Sequence, residues 1–343
     1  MDKYILSSKT LEEIEKFVVD LGEPKFRAKQ LYSWIYTKFA SDFDQMTDIS
    51  KSFRENLKSN ALLTDIKIKE RQISSDKTIK YLLEYTDGNV AECVLMRFDN
   101  RPNLTACVSS QIGCPVGCVF CATGQNGFVR NLTSREIVEQ IMIMQRDTGL
   151  RISNVVFMGQ GEPLLNLDNV LEAIKLINEV VGIGIRRMTL STSGIIPGLK
   201  KLKEIDFQAT VALSLHAPNH EIRQKIMPIE NKYRVEEVIE ALKDLVDATG
   251  RRATIEYTII KGVNDSLEQA KEMLALLKGL HCNINIIPYN NACNASFEKP
   301  TEEHINKFKF ILERSSYKVT VRLERGADID AACGQLSGKA KNV

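Results

Sequence analysis

Three cysteines, Cys114, Cys118 and Cys121, fall within the eight-residue run CPVGCVFC. Gaps of three and then two residues let three thiolates converge from one short loop, and Gly113, Gly117 and Gly124 allow its tight turns. Tetrahedral zinc takes four ligands and is usually served by paired Cys-x2-Cys units, but no second pair follows downstream. Three thiolates on a 4Fe–4S cluster leave one iron open, in the way that a catalytic metal keeps a position for its substrate. The spacing, followed by Ala122-Thr123-Gly124, points to such a cluster. Elsewhere, Gly159 and Gly161 in MGQGEPLLN permit close backbone approach beside Glu162, an acceptor for a cation. Taken alone, Glu162 also reads as a solvated loop carboxylate, and His216 in SLHAP as a satisfied core histidine.

The chain that must position these groups has 343 residues, 43% hydrophobic and 26% charged, enough for one large domain or two smaller ones. Its net charge of +2 does not by itself announce a nucleic-acid binder. The first 62 residues hold ten Lys/Arg and ten Asp/Glu, so an RNA-binding face there would need spatial sorting of charge. No run approaches the eighteen or so apolar residues of a membrane span, and Met1-Asp2-Lys3-Tyr4 does not begin a secretory signal. Eight cysteines without an export signal are expected to be reduced thiols, metal ligands or catalysts in the cytoplasm.

Residues 8–60 read as helical. Leu11, Ile14, Phe17 and Val18 share one face of a helix ending near Gly22. Pro24 opens a second, with Phe26, Leu31, Trp34 and Ile35 on one side, and residues 52–62 form a third. Alternation over Tyr81–Tyr85 and Val90–Met96 around Thr86-Asp87-Gly88-Asn89 predicts a β-hairpin. From Leu104, strands are expected at Leu104–Val108, Asn154–Met158, Arg187–Ser191, Ala209–Leu215, Thr254–Ile260 and Asn283–Pro288. Helices are expected at 134–147, 167–180, 197–205, 234–248, 265–278 and 301–314. Six β–α units in a row make an α/β fold, a parallel sheet with outer helices curved into a partial or complete barrel. The cysteine loop follows the first strand at its C-terminal end, where such folds carry their chemistry.

The cysteine motif resembles that of the radical S-adenosylmethionine (SAM) superfamily, and MGQGEPLLN is similar to that superfamily's Gly-Glu-Pro motif. The resemblance implies a (β/α)6 partial barrel. It also implies one 4Fe–4S cluster on Cys114, Cys118 and Cys121 whose open iron binds SAM, reductive cleavage of which yields a 5′-deoxyadenosyl radical. Gly161, Glu162, Ser191, Ser214, Leu215, His216 and Asn290 would line the SAM site. Cys107 in ACVSSQIGC and Cys333 in GADIDAACGQL narrow the likeness to the radical SAM adenine methyltransferases of RNA, over essentially the whole chain. Cys93, Cys282 and Cys293 read as small buried hydrophobes.

That family's chemistry would assign Cys333 as the S-methylcysteine intermediate, charged by one SAM and activated to a thiomethylene radical by a second. Glu92 would take the ring proton from the adenine adduct, and Cys107 would resolve the crosslink by forming a disulfide with Cys333. A solvent-facing hairpin carboxylate remains the other reading of Glu92. The implied substrates are carbon 2 of an adenine in the peptidyl transferase centre of 23S rRNA and of the tRNA adenine beside the anticodon. The implied donor is a flavodoxin, and the enzyme is expected to act as a monomer without a membrane. A sister enzyme methylating carbon 8 of the rRNA adenine, conferring antibiotic resistance, uses the same five cysteines. A SAM-binding or electron-transfer module without methyl transfer would need neither Cys107 nor Cys333, and a non-RNA radical SAM enzyme would leave the helical N-terminal region unexplained. The organisation expected is an RNA-binding helical domain (1–62), a hairpin extension (63–99), the barrel (100–325) and a C-terminal loop (326–343). Lys25, Arg27 and Lys29 are candidate RNA contacts or simply a solvated helix face.

Overall fold

The computed structural model describes residues 3–98, 101–290 and 296–338. The N-terminal helices form where caps and apolar stripes coincide. α1 (Leu11–Asp20) opens with a capping box: the Glu13 amide donates to the Thr10 hydroxyl, and the Thr10 amide donates to the Glu13 carboxylate. Its Ile14 and Val18 are buried, while α2 (Arg27–Tyr36) buries Ala28, Leu31, Ile35 and Tyr36. α3 (Lys51–Asn60), capped by Ser50, buries Phe53 and Leu57. Two details depart from expectation. Phe26 is largely exposed, because α2 begins only at Arg27 and leaves Phe26 at its cap, off the buried face. Residues 61 and 62 leave α3 to form β2 (Ala61–Leu62), which pairs in parallel with β1 (Tyr4–Ile5) and ties the two ends of the helical unit together.

A ten-stranded sheet carries the rest. β3 (Lys67–Ile73), β4 (Ile79–Glu84), β5 (Val90–Phe98) and β6 (Arg101–Cys107) run as an antiparallel meander, so the expected hairpin is one step of a longer extension. Its turn uses Gly88 at φ +78 and the Asn89 amide donating to Asp87. From β6 onward, β9 (Asn154–Phe157), β10 (Met188–Thr192), β11 (Thr210–Ser214), β12 (Ala253–Ile259), β13 (Cys282–Pro288) and β14 (Lys318–Val321) pair in parallel in chain order. The crossovers are α5 (Ser134–Thr148), α6 (Leu167–Leu176), α7 (Ile196–Glu204), α8 (His220–Ile226) with α9 (Val235–Thr249), α10 (Leu267–Leu276) and α11 (Glu302–Glu313). The six expected strands and helices thus appear within a few residues of their expected places, and β14 is an addition. β3 and β14 stand at opposite edges of the sheet, which leaves the barrel partial.

Between β6 and α5 the chain makes a small hairpin of β7 (Gln111–Gly113) and β8 (Phe128–Asn131), which frames the cysteine loop and α4 (Ala122–Gln125). One hydrophobic cluster runs from Leu6 and Phe53 through Phe157 and Ile255 to Val319, so the helical unit and the barrel share a core. The Tyr32 hydroxyl donates to the Val180 carbonyl at 3.3 Å, and Arg135 pairs through both terminal nitrogens with Asp65 at 2.6 and 3.0 Å. The expected division after residue 62 falls at the end of β2, whereas residues 99 and 100 lie outside the described residues.

Gly113 shows how tightly the hairpin holds the loop. At φ +75, a Cβ there would sit 1.9 Å from the Gly127 carbonyl oxygen, which accepts the Cys114 amide at 2.8 Å. Gly22 has a similar φ of +80 but open space around it. Gly22→Ala is therefore expected to cost only the left-handed strain of about 1–2 kcal/mol. Gly113→Ala should cost more and lower the iron retained after anaerobic reconstitution. Thermal melts and iron content of the two variants side by side test this.

Candidate active site

Because the parallel strands point the same way, the loops after them meet on one rim and enclose about 930 Å³ of unfilled space, including its open mouth. Cys114, Cys118 and Cys121 border one wall. The Cys121 amide donates to the Cys118 carbonyl at 3.2 Å, closing the second half of the loop. Gly124 lets α4 pack over it, since a Cβ there would meet the Cys118 backbone at 2.9 Å. Burial pushes the Cys114 thiol up to about 12 and the Cys118 thiol well above its ordinary value. Such thiols become thiolates when a metal's positive charge is supplied. Among the described residues, no three His, Cys, Asp or Glu side chains crowd closely enough to hold one ion. Three thiols brought to one wall from a single short loop suit an iron–sulfur cluster, which thiolates hold, with one iron left open.

Gly161, Glu162, Ser191, Ser214, His216 and Asn290 border the same cavity. Gly161, at φ +100, passes so close to Gln111 that a Cβ would lie 2.6 Å from its side chain. Glu162 is buried, not solvated. Its Oε2 accepts the Ser193 amide at 2.7 Å and its Oε1 the Leu164 amide at 3.1 Å. Burial raises its carboxyl above the usual range against the pull of these donors. Leu215 differs from the others: its side chain belongs to the main core, and its carbonyl accepts the Arg223 Nε.

His216 sits at φ +56 with its Nδ1 accepting the Thr258 amide at 2.9 Å, so the neutral ring carries its proton on Nε2. Its ring meets Phe120 edge-on at 5.0 Å. Burial first, and the Arg223 charge second, lower its pKa to about 3. Around the cavity the Ser193 and Tyr289 hydroxyls and the Asn290 Oδ1 are buried without a hydrogen-bond partner. Unsatisfied buried atoms of this kind mark where a ligand's polar groups belong.

The C-terminal segment completes the cavity. Asp328 receives the Ser74 hydroxyl at 2.5 Å and the Ser75 amide at 3.0 Å, anchoring it on the β3–β4 turn. Further on, the Ala122 amide donates to Gly334, Thr123 to Leu336 and Asn126 to Ser337, at 2.8, 2.6 and 2.7 Å, anchoring it on α4. Cys333 lies between the two anchors, exposed at the cavity mouth, with its carbonyl accepting from Asn290 at 3.3 Å. Cys107 is buried in a small cluster with Val94 and Leu336. Burial pushes its thiol up to about 12, with Cys333 adding to the effect and Arg322 opposing it. All seven described cysteines are free thiols; Cys93 and Cys282 are buried as expected, and Cys293 lies outside the described residues.

Glu92 faces neither solvent nor the cavity. It lies beneath the C-terminal segment, where its Oε2 accepts the Gly338 amide at 2.8 Å and its Oε1 pairs with Lys80 at 3.0 Å. Other groups escape the motifs altogether. Arg223 is fully buried under the rim, paired with Glu230 at 2.7 Å and donating to the carbonyls of Leu215, Ser193 and Ser214 at 3.0, 2.6 and 3.3 Å. Arg322, at the end of β14, borders the cavity 3.5 Å from Glu256 and 3.8 Å from the Met158 sulfur. A charged residue inside the apolar run TIEYTII is a legible signal for Glu256.

Two family models match the chain: the radical SAM superfamily over residues 108–277, and the ribosomal RNA large subunit methyltransferase N-terminal domain over residues 6–63. The chain is 47% identical to the probable dual-specificity RNA methyltransferase RlmN of Alkaliphilus oremlandii, covering 99% of each chain. It is 44% identical to the protein of the same description in Clostridioides difficile, again over 99% of each. Among solved structures, a radical SAM methyltransferase from Sphaerobacter thermophilus superposes with a TM-score of 0.90 at 41% identity, covering 98% of this chain and all of that one.

Two outcomes follow from the site's electrostatics. Arg223→Met strands the buried Glu230 charge and is expected to cost about 3–5 kcal/mol, part of which Glu230→Leu in the same chain restores. Chemical denaturation of the single and double variants measures both. For His216 the folded pKa lies below an unfolded value of about 6.5. The unfolded chain therefore takes up a proton that the folded one refuses, and stability falls as pH drops from about 6.5 toward the folded value. Its ring nitrogens should show a single Nε2–H tautomer and no titration in NMR between about pH 5 and 8.

Proposed function

The chain belongs to the RlmN family of radical SAM RNA methyltransferases, and from that membership we propose that it methylates carbon 2 of adenine at two kinds of RNA site. These are an adenine in the peptidyl transferase centre of 23S rRNA and the adenine beside the anticodon of tRNA. The observation that carries this reading is the position of Cys333. A thiol from the far end of the chain shares one cavity with the three loop cysteines, and Cys107 lies close enough to feel its charge.

Cys114, Cys118 and Cys121 would hold the 4Fe–4S cluster. Gly161, Glu162, Ser191, Ser214, His216 and Asn290 would seat SAM, with Leu215 contributing through its main chain. The cluster and SAM together supply one-electron cleavage to a 5′-deoxyadenosyl radical. Carbon 2 of adenine lies between two electron-withdrawing nitrogens and does not attack a methyl cation donor, so the protein must carry the methyl group as a radical precursor. Cys333 takes a methyl from one SAM, and a second SAM is spent in activating it, which makes two per turnover. Arg322, which borders the same cavity, favours the Cys333 thiolate that must attack. After the methylene bonds to the adenine, Glu92 accepts the ring proton, and the odd electron of the radical adduct would return to the cluster. Cys107 then attacks the Cys333 sulfur; a disulfide forms, the carbon–sulfur bond breaks and methylated RNA leaves.

Residues 1–62 and the extension 63–99 form the RNA-binding accessory region, in which Lys25 and Lys29 are exposed while Lys25 is also paired with Glu15 at 2.9 Å. The electron donor is a flavodoxin-type carrier, and the enzyme works as a cytoplasmic monomer. No helix among the described residues is long and apolar enough to cross a membrane.

Reaction of the anaerobically reconstituted enzyme with 23S rRNA fragments and tRNA, followed by mass spectrometry of the nucleosides, tests the reading. 2-Methyladenosine is expected in both RNAs, and 8-methyladenosine would overturn it. Cys333→Ala should abolish methylation while leaving the iron content unchanged. Cys107→Ala should instead trap RNA bound covalently to protein, visible as a band shift that thiol reduction does not reverse.

A further inference from the structure

A lysine and a glutamate buried side by side on one face of the antiparallel extension carry this inference, which rests on the reading of Glu92 as proton acceptor. β4 is buried along almost its whole length, and Lys80 is the charged member of that buried run, only 6% exposed. The register places Leu82 opposite Glu92 and Lys80 opposite Val94, so Lys80 and Glu92 are diagonal neighbours on one face, within reach of a long side chain. Their charged ends meet at 3.0 Å, and Lys80 Nζ also donates to the Asp330 carbonyl at 3.4 Å. The Glu92 main chain is pinned as well: its amide donates to the Gln160 Oε1 at 2.9 Å, and its carbonyl accepts the Ser109 hydroxyl at 2.6 Å.

We propose that Lys80 is the positioning residue that holds Glu92 aimed for proton abstraction. A buried carboxylate needs a partner of opposite charge to stay in place. The ammonium in contact with one oxygen fixes the carboxylate plane, leaving the other oxygen to the Gly338 amide. In this step the carbon–hydrogen bond of the adduct breaks, its electron pair stays with the ring and an O–H bond forms on Glu92, while the odd electron left by radical addition would leave the ring for the cluster that supplied the first electron. The other ionisable group on this face is Cys107, diagonally across on β6, whereas Cys93, next along β5, points to the opposite face into the main core; Asp330 of the C-terminal segment meets Lys80 through its carbonyl. None of these supplies a positive charge.

The test follows resolution of the covalent RNA–protein adduct in single turnover. Lys80→Met removes the charge; Lys80→Gln does so while keeping a donor for the Asp330 carbonyl, and serves if the first variant folds poorly; Lys80→Arg keeps the charge. Misplacing a reacting group by about 1 Å can cost about a hundredfold, so resolution should slow about tenfold or more in both neutral variants while Lys80→Arg keeps most of the parent rate. Parent-like resolution in the neutral variants, or equal loss in all three, overturns the proposal. Glu92→Gln separates the two readings. If it stalls while the neutral lysine variants keep the parent rate, only the role of Lys80 fails. If it resolves the adduct normally, the proton-acceptor reading fails and takes the lysine with it.

Discussion

The guanidinium of Arg223 is out of reach of water, and satisfying it dictates the shape of the cavity floor. One edge is neutralised by Glu230, and the remaining donors take the carbonyls of Ser193, Ser214 and Leu215 at the ends of β10 and β11. The Ser193 amide in turn grips Glu162, whose other oxygen holds Leu164 after β9. A single polar network therefore joins the loops after three neighbouring strands. A buried pair of this kind adds little net stability over an apolar replacement, but leaving either partner alone is costly. What it supplies is geometry, because a planar fork holds backbone carbonyls at fixed angles. The residues that border the cavity along these strands, Ser191, Ser214 and His216, inherit that rigidity.

The opposite side of the cavity is built differently. The C-terminal segment is held on α4 by three hydrogen bonds, all to its main-chain carbonyls, and on the β3–β4 turn by Asp328. The three neutral bonds to α4 contribute about 1 kcal/mol each, so that attachment opens at lower cost than the charge-paired floor, while the Asp328 and Glu92 carboxylates hold the segment more firmly on either side of it. The division suits a base-modifying enzyme, in which the cofactor site must stay fixed while an unstacked nucleotide is admitted.

How much of this was legible in the sequence depends on how local the cause is. The cysteine triad, the Gly-Glu-Pro turn and six βα units were readable, because spacing and periodicity are properties of short windows. The antiparallel extension was only half legible. Lys80 and Glu92 occupy the polar positions of alternating strands, and alternation suggests that such a face meets water. That face is covered instead by a segment some 250 residues away in the chain, as the Lys80–Asp330 contact shows. Arg223 and Arg322 escaped for the same reason, since their partners converge only in three dimensions. β14 was missed because four residues give too short a pattern, although Val319 and Val321 alternate correctly.

The two edge strands of the ten-stranded sheet, β3 of the extension and β14 of the barrel, do not pair with each other. The chain leaves β14, catches the β3–β4 turn through Asp328, and carries Cys333 across to α4. The Cys333 sulfur thus rides on a clasp that spans the gap between the two edges of the sheet. Under the function proposed above, such a gap lets a folded RNA of any length present an internal base from the side, without an end to thread. A base bonded to Cys333 would then move with the clasp as one body, and letting the RNA go would be the same event as fastening the clasp again.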